Sequence, residues 1–280
     1  MVRPVALLAL MAGAALTPPA IAPAIAAPWQ VERSDVLTIA SADGYRHKVM
    51  VAWPEGPPPP AGWPVLWLLD GEDNFATAVM NARRLARAGD RSGIEPGLIV
   101  ALESGSLARR VLDYTPPAPG YSIPAQAPAG GMATGGGDAF LDFVDHAVRP
   151  KIAARWKIDA GRQTLMGHSL GGLLALHALA RGEYWTSYVA VSPSMWFGDG
   201  LIQREIGGMA PAPGKRLIAA RGDAEGGPAD GKGQVEELAP LLTAHGVTAH
   251  FKILAGQNHG ATMMAMMNEG IAAAFGRQAP

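Results

Sequence analysis

Apolar and polar positions alternate over residues 35–53 in the pattern of a β-hairpin. Residues 35–41 and 46–53 read as two strands on either side of the turn Asp43-Gly44. A proline-rich stretch over 54–64 then interrupts regular structure. The pattern therefore predicts an antiparallel hairpin at the start of the fold.

Downstream of the hairpin, unbroken apolar runs alternate with segments of helical period. Such runs suit strands buried on both faces, and the segments between them carry apolar side chains on one helical face. The predicted strands cover 65–69, 98–102, 163–166, 188–191, 217–220 and 250–254, and the predicted helices 138–156, 170–180, 235–244 and 261–275, with a further helical pattern through Phe75, Val79 and Leu85. This alternation implies right-handed crossovers, so we expect a mainly parallel central sheet with helices on both faces.

One long segment, 103–137, shows neither period and is rich in proline and glycine. A connector of this length is unusual inside a compact domain. The segment is therefore either disordered or part of a binding site.

Composition limits the chemistry that the chain can perform. Its 280 residues, 49% of them hydrophobic, are enough for one large core, so we expect a single domain over 27–280. A formal net charge of -1 offers no attraction for nucleic acid or an acidic membrane surface. There is no cysteine, which excludes disulfides, a thiol nucleophile and cysteine-based zinc sites. We expect no metal and no cofactor, and chemistry carried by serine, histidine, carboxylates or backbone groups.

The first 26 residues have the three regions of a secretory signal peptide. Arg3 supplies the positive charge, 5–16 the apolar run, and Ala24-Ile25-Ala26 the small-residue cleavage site. The apolar run is too short to span a bilayer. We expect cleavage after 1–26 and a periplasmic or secreted product without stable membrane insertion; the alternative is an N-terminal anchor or a disordered tail.

Residues 167–171 read GHSLG and match the nucleophile elbow, G-x-S-x-G, once in the chain. The pattern alone is loose, but here a predicted strand precedes it and a predicted helix follows it, as the motif requires. Such a turn strains the backbone at Ser169, and Gly167 and Gly171 remove the Cβ atoms that would clash. We expect Ser169 to be a nucleophile.

A nucleophilic serine needs donors for the negative charge that develops on the carbonyl oxygen. The backbone N–H of Leu170 begins a helix and suits this role. A second donor is expected from the loop after the strand 65–69, where Gly71 or Glu72 could supply an N–H. The alternative for Asp70-Gly71 is an ordinary turn.

A base and an acid should follow the serine in the order serine, acid, histidine. His259 lies in a polar loop between the last predicted strand and the last predicted helix, whereas the other six histidines fall on the hairpin, the elbow, a strand or helices. Asp223 follows the strand 217–220 and is the favoured acid, with Glu225 or a dyad without an acid as alternatives.

Six motifs in fixed order give the sequence a family likeness. They are PVLWLLDG at 64–71, RVLDYTP at 110–116, GGDAFL at 136–141, GHSLGG at 167–172, SPSMW at 192–196 and NHG at 258–260. From about Tyr45 to Phe275 the sequence resembles the putative-esterase family of α/β-hydrolases, in particular its branch of periplasmic enterobactin-type siderophore esterases. The resemblance implies an α/β-hydrolase fold and ester hydrolysis through an acyl-serine intermediate.

The same resemblance implies roles for two pocket residues: Arg110 would face the site and hold an anionic or catecholate-rich substrate, and Trp196 would form part of the pocket wall. His168 is the variable position of the elbow, and we expect it to pack beside the site as a substrate-binding residue. The alternatives are an ion pair between Arg110 and Asp113 and a structural tryptophan. The family's usual tandem tryptophan is broken here by Phe197.

The favoured substrate is therefore a small-molecule ester, a ferric trilactone siderophore or a relative of one. A carbohydrate, feruloyl or acetyl esterase would use the same catalytic parts. A non-catalytic periplasmic binding protein on the same fold is the alternative from another class, and the presence of both Ser169 and His259 argues against it.

Overall fold

An eight-stranded sheet forms the centre of the structure. In chain order its strands are β1 (Ser34–Ala40), β2 (Arg46–Ala52), β3 (Trp63–Leu69), β4 (Leu98–Glu103), β5 (Ile158–His168), β6 (Ser187–Val191), β7 (Arg216–Gly222) and β8 (Thr248–Leu254). They lie in the order β1-β2-β4-β3-β5-β6-β7-β8. β2 pairs antiparallel with β1 and β4, and all other neighbours are parallel. The predicted hairpin and mainly parallel sheet are confirmed.

This computed structural model describes residues 28–127, 129–226 and 234–277. The chain divides into a short unit that ends at Val31 and a compact unit, Glu32–Pro280. The predicted signal peptide, 1–26, lies outside the described residues. Among the helices of the part that is described, none is long and apolar enough to cross a membrane.

Helices flank the sheet between its strands. They are α1 (Gly71–Arg87), α2 (Leu107–Tyr114), α3 (Gly137–Phe143), α4 (Arg149–Arg155), α5 (Leu170–Ala180), α6 (Leu201–Gly208), α7 (Ala239–Ala244) and α8 (Thr262–Phe275). The single helix predicted over 138–156 is α3 and α4 joined by a π-helical turn, Val144–Val148. Pro150 stands in the first turn of α4, where its missing N–H is tolerated.

Two helices were not predicted. α2 lies inside 103–137, where Ser106 caps it by accepting a hydrogen bond from Arg109 N at 3.2 Å. α6, over 201–208, follows the SPSMW motif. Each has eight residues, which is too few to show a helical period clearly between flanks rich in glycine and proline.

Helix α5 anchors the elbow in the core. Every residue from Leu170 to Leu179 is buried, so the helix is enclosed on all sides. Gly172 permits this close packing, because a Cβ there would lie 2.9 Å from the carbonyl oxygen of Val191. The start of α5 is therefore fixed against the end of β6.

His177 ties α5 to two other helices. Its ring is only 5% exposed, and its nitrogens lie 2.7 Å from Glu205 Oε2 and 2.8 Å from Asp138 Oδ1. Burial lowers the pKa of His177, but the hydrogen bonds and charges of Glu205 and Asp138 outweigh burial and raise it. The ring is held as an imidazolium between α3 and α6.

The raised pKa of His177 predicts a pH-dependent share of stability. This share is fully present below the ordinary histidine pKa of about 6.5 and is lost as pH rises through the higher folded-state value. His177→Gln is expected to lower the free energy of unfolding by about 2 kcal/mol at acidic pH, and by less at alkaline pH. Urea unfolding at an acidic and at an alkaline pH measures the difference in the free energy of unfolding. His146→Gln, at a histidine whose side chain is exposed, is the control. Equal losses at both pH values would contradict a charged ring.

Candidate active site

Ser169 occupies a sharp turn between β5 and α5. Its φ of 58° and ψ of −117° are strained for a residue with a side chain. Its N–H donates to Val191 O at 2.9 Å, which holds the turn against β6. A Cβ at Gly167 would lie 2.4 Å from the carbonyl oxygen of Gly171. The predicted strain at Ser169 and the requirement for glycine at 167 are confirmed; at Gly171 a Cβ would lie 3.3 Å from Leu69 Cδ1, a tight contact and not a clash.

The hydroxyl of Ser169 has a serine neighbour. Ser169 Oγ lies 3.3 Å from Ser194 Oγ, and Ser194 N donates to Ser169 O at 3.1 Å. Ser194 is buried, whereas Ser169 is partly accessible. Among the hydrogen bonds of the described residues, none joins Ser169 Oγ to the ring of His259, so the direct serine–histidine contact stays a prediction.

His259 is paired with a carboxylate at the same edge of the sheet. Its Nδ1 lies 3.0 Å from Glu225 Oε2. Glu225 Oε1 accepts from Ser192 Oγ at 2.5 Å and from Gly222 N. Burial raises the pKa of Glu225, but the hydrogen bonds from Ser192, Gly222 and His259 outweigh burial and lower it. The carboxylate is therefore ionised. No hydrogen bond between described residues involves the other ring nitrogen of His259, Nε2.

Asp223, the favoured acid from sequence, lies elsewhere. Its carboxylate accepts from Gly256 N at 2.7 Å, and in the described part of the chain no hydrogen bond or ion pair joins Asp223 to His259. The turn after β7 bends back, so that Glu225 reaches the N–H of Gly222 while Asp223 points away to an exposed loop. Closeness to the strand end was the sequence argument for Asp223, and it does not determine the direction of the turn.

His168 contacts the base loop. Its Nε2 lies 2.8 Å from the carbonyl oxygen of His259, and the two rings are 4.6 Å apart. Burial lowers the pKa of His168, and the neighbouring ring of His259 lowers it further. A neutral His168 can donate from Nε2 and so hold the loop that carries His259.

Arg110 is bound within the protein. Its guanidinium makes a two-point contact with Asp70, at 2.5 and 2.8 Å, and donates to His168 O at 3.1 Å. The alternative pairing with Asp113 is not formed, because Asp113 binds Arg109 at 2.8 Å. Only 23% of the Arg110 side chain is exposed. Arg110 therefore joins the loop after β3 to the elbow, and its substrate-holding role stays a prediction.

The predicted oxyanion donors begin two helices. Leu170 opens α5, and Gly71 and Glu72 open α1, so these N–H groups have no acceptor within their own helices. Glu72 N donates instead to Glu103 Oε2 at 2.9 Å, which removes it as a donor to substrate. Gly71 and Leu170 are the two candidates that remain.

Trp196 lies at the surface beyond Ser194. Its side chain is 51% exposed, and its ring is 6.2 Å from that of Phe197. Phe197 is fully buried and packs edge-on against Tyr121 at 4.9 Å. Phe197 is thus a core residue, whereas the exposed part of the Trp196 ring could line a pocket.

Three polar residues of this site had no role predicted from the sequence. Ser192, Ser194 and Thr262 are buried and lie where β6 ends and α8 begins. The sequence signal that could have identified Ser192 and Ser194 is the SPSMW motif directly after a predicted strand. Parallel strands bring their carboxyl ends to one edge of the sheet, so residues that follow such a strand lie near the site.

Comparisons with known proteins cover most of the chain. The model of the putative esterase family matches residues 41–206, more than half of the chain. The chain is 30% identical over 230 residues to the ferri-bacillibactin esterase BesA of Bacillus subtilis, covering 76% of this chain and 79% of that protein. It is 37% identical over 195 residues to the siderophore triacetylfusarinine C esterase of Aspergillus fumigatus, covering 64% and 61%.

Two solved structures have the same fold. The BES protein from Bacillus cereus superposes with a TM-score of 0.78 at 23% identity, covering 90% of this chain and 99% of that one. The enterobactin hydrolase IroE, in complex with DFP, superposes with a TM-score of 0.69 at 26% identity, covering 86% and 94%. The α/β-hydrolase fold implied by the motifs is confirmed. The chain belongs to the putative esterase family, and it is an ester hydrolase.

Proposed function

We propose that this protein is a serine esterase that opens the ester bonds of a siderophore through an acyl intermediate on Ser169. The observation that carries the proposal is the 3.0 Å contact between His259 Nδ1 and the ionised Glu225 carboxylate. This pair follows β7 and β8, and the strained Ser169 follows β5 at the same edge of the sheet. A base oriented by an acid beside a strained serine is the arrangement that acyl transfer needs.

In the proposed mechanism His259 Nε2 takes the proton of Ser169 as Oγ attacks the ester carbonyl carbon. The N–H groups of Leu170 and Gly71 donate to the oxyanion. The tetrahedral intermediate collapses, the ester bond breaks, and His259 returns its proton to the leaving alkoxide. Water then gives a proton to His259 and attacks the carbonyl carbon of the acyl-serine, and His259 returns that proton to Ser169 Oγ as the bond from Oγ to the acyl carbon breaks and the carboxylic acid leaves.

The serine–histidine hydrogen bond belongs to the working complex in this proposal. Catalytic hydrogen bonds in ligand-free enzymes are often long and tighten when substrate binds. Here the Ser169 hydroxyl has Ser194 Oγ as neighbour at 3.3 Å, a weak contact that a rotation of the side chain would release. Half of the His259 side chain is exposed, so the ring is accessible to substrate.

The substrate assignment is supported by the relatives, whose names describe esterases of ferri-bacillibactin and triacetylfusarinine C. Trp196, with its half-exposed indole, would offer a face for aromatic groups of such a ligand. Export to the periplasm or beyond, as the signal-like residues 1–26 predict, would place the enzyme where siderophores arrive.

A substrate panel tests this function. Purified protein would be incubated with ferric and iron-free enterobactin-like trilactones, with acetylated and feruloylated sugars, and with a chromogenic ester, and the products identified by mass spectrometry. We expect trilactone opening with kcat/KM at least about a hundredfold above that for the sugar esters, a ratio that specific substrate contacts readily supply. Inertness toward the trilactones would reject the siderophore assignment. A fluorophosphonate probe that fails to label the protein would favour a non-catalytic binding protein.

A further inference from the structure

Two buried hydroxyl groups lie directly behind the proposed acid and base. Ser192 follows β6 and is 3% exposed, and Thr262 opens α8 and is fully buried. Ser192 Oγ donates to Glu225 Oε1 at 2.5 Å and lies 2.7 Å from Thr262 Oγ1. Thr262 Oγ1 in turn lies 3.0 Å from the carbonyl oxygen of His259. The pair therefore touches the acid on one side and the backbone of the base on the other.

The number of hydroxyl protons limits which of these groups donates and which accepts. Each hydroxyl has one proton to donate, and an ionised carboxylate only accepts, so the proton of Ser192 is committed to Glu225. Thr262 can direct its proton to Ser192 Oγ or to His259 O, and His168 Nε2 also reaches that carbonyl oxygen, at 2.8 Å. Hydrogen bonds linked in this way strengthen one another in a buried site.

The backbone of Ser192 is strained to make these contacts. Its φ is 43°, in the left-handed region that costs energy for a residue with a side chain, and its N–H donates to Ala220 O at 2.6 Å. Conformations of this kind persist where the surrounding contacts determine them. The strain, the burial and the short hydrogen bond to Glu225 occur together at one serine.

We propose that Ser192 and Thr262 are positioning residues, which hold the Glu225 carboxylate in line with His259 and tie both to the start of α8. In the described part of the chain, Ser192 and Thr262 make hydrogen bonds to two titratable residues, Glu225 and His259, and His168 contacts His259 in turn. The proposal rests on the proposed function, because it takes Glu225 to be the acid that orients the base.

The first test removes one hydroxyl at a time from the full chain. Ser192→Ala is expected to lower kcat for a chromogenic ester about tenfold with KM changed less than about twofold, the size expected when an ionised group loses one hydrogen bond. Thr262→Val has nearly the shape of threonine without its hydroxyl and should show a loss of the same kind. Thr262→Ser, which keeps the hydroxyl, should recover most of that loss. The downfield NMR resonance of the His259 Nδ1 proton should shift in the alanine and valine variants and return in the serine variant.

A double-mutant cycle separates positioning from general destabilisation. If Ser192 acts through Glu225, then Ser192→Ala should lower kcat no further once Glu225→Gln is present. Additive losses, or equal losses in the valine and serine variants at 262, would overturn the positioning role and leave the proposed function intact. An undiminished kcat in Glu225→Gln alone would overturn the acid assignment, and this inference with it. If the variants at one of the two positions, 192 or 262, fold poorly, the kinetics of the variants at the other position test the positioning role.

Discussion

Replacement of Ser169 by alanine is expected to lower kcat for a chromogenic ester by about 10⁴- to 10⁶-fold, because the proposed acyl intermediate forms on the hydroxyl that alanine lacks. The residual rate would come from the oxyanion donors and substrate binding alone. Labelling by a fluorophosphonate probe should be lost in parallel. Because alanine has the same backbone demands as serine at a φ of 58°, the fold should be retained.

A matched control uses another accessible serine. Ser122 is exposed in the irregular segment that follows α2, and Ser122→Ala is expected to keep full activity and labelling. Retention of more than about a tenth of kcat in Ser169→Ala would be incompatible with covalent catalysis at this residue. Thermal unfolding of both variants would show whether a lost rate reflects a lost fold.

The centre of the sheet was predictable from sequence because its strands are buried on both faces, and the β1–β2 hairpin because its apolar and polar positions alternate. β3 and β4 read as unbroken apolar runs, and all but one of their residues are buried. Helices α2 and α6 were not predictable, because each has too few residues to show an apolar period: α2 begins at the side-chain cap of Ser106, and α6 follows Gly200 without a side-chain cap and buries only Ile202 and Ile206. The 103–137 segment accordingly contains a helix that supplies Arg110, the partner of Asp70.

Within the site, the position of the nucleophile could be predicted from the sequence, whereas the identity of the acid could not. Ser169 is fixed by a local motif, in which glycine spacing, strand and helix all describe the same turn. The acid depends on a bend of a few residues after β7, where Asp223 and Glu225 are both close to the strand end. Gly222 distinguishes them: its N–H donates to Glu225 Oε1, and a Cβ there would lie 2.0 Å from the carbonyl oxygen of Gln257. That contact with a distant loop is invisible in the local sequence.

The second large expected loss of activity follows from taking Glu225, and not Asp223, as the acid. Glu225→Gln is expected to lower kcat by about 10³- to 10⁴-fold, because the carboxamide can offer an N–H to His259 Nδ1 and so favour the wrong tautomer of the ring. KM should change little, since Glu225 lies behind the histidine and does not reach substrate. Steady-state kinetics on the chromogenic ester measure both constants.

Asp223→Asn is the matched control for this prediction. Its new carboxamide oxygen can still accept from Gly256 N, the contact that Asp223 makes at 2.7 Å, so kcat should fall by less than about threefold. A large loss in Asp223→Asn with little loss in Glu225→Gln would return the acid role to Asp223 and require the turn after β7 to rearrange when substrate binds. Small losses in both would instead describe a serine–histidine dyad, in which the backbone contacts of His259 with His168 and Thr262 alone orient the base.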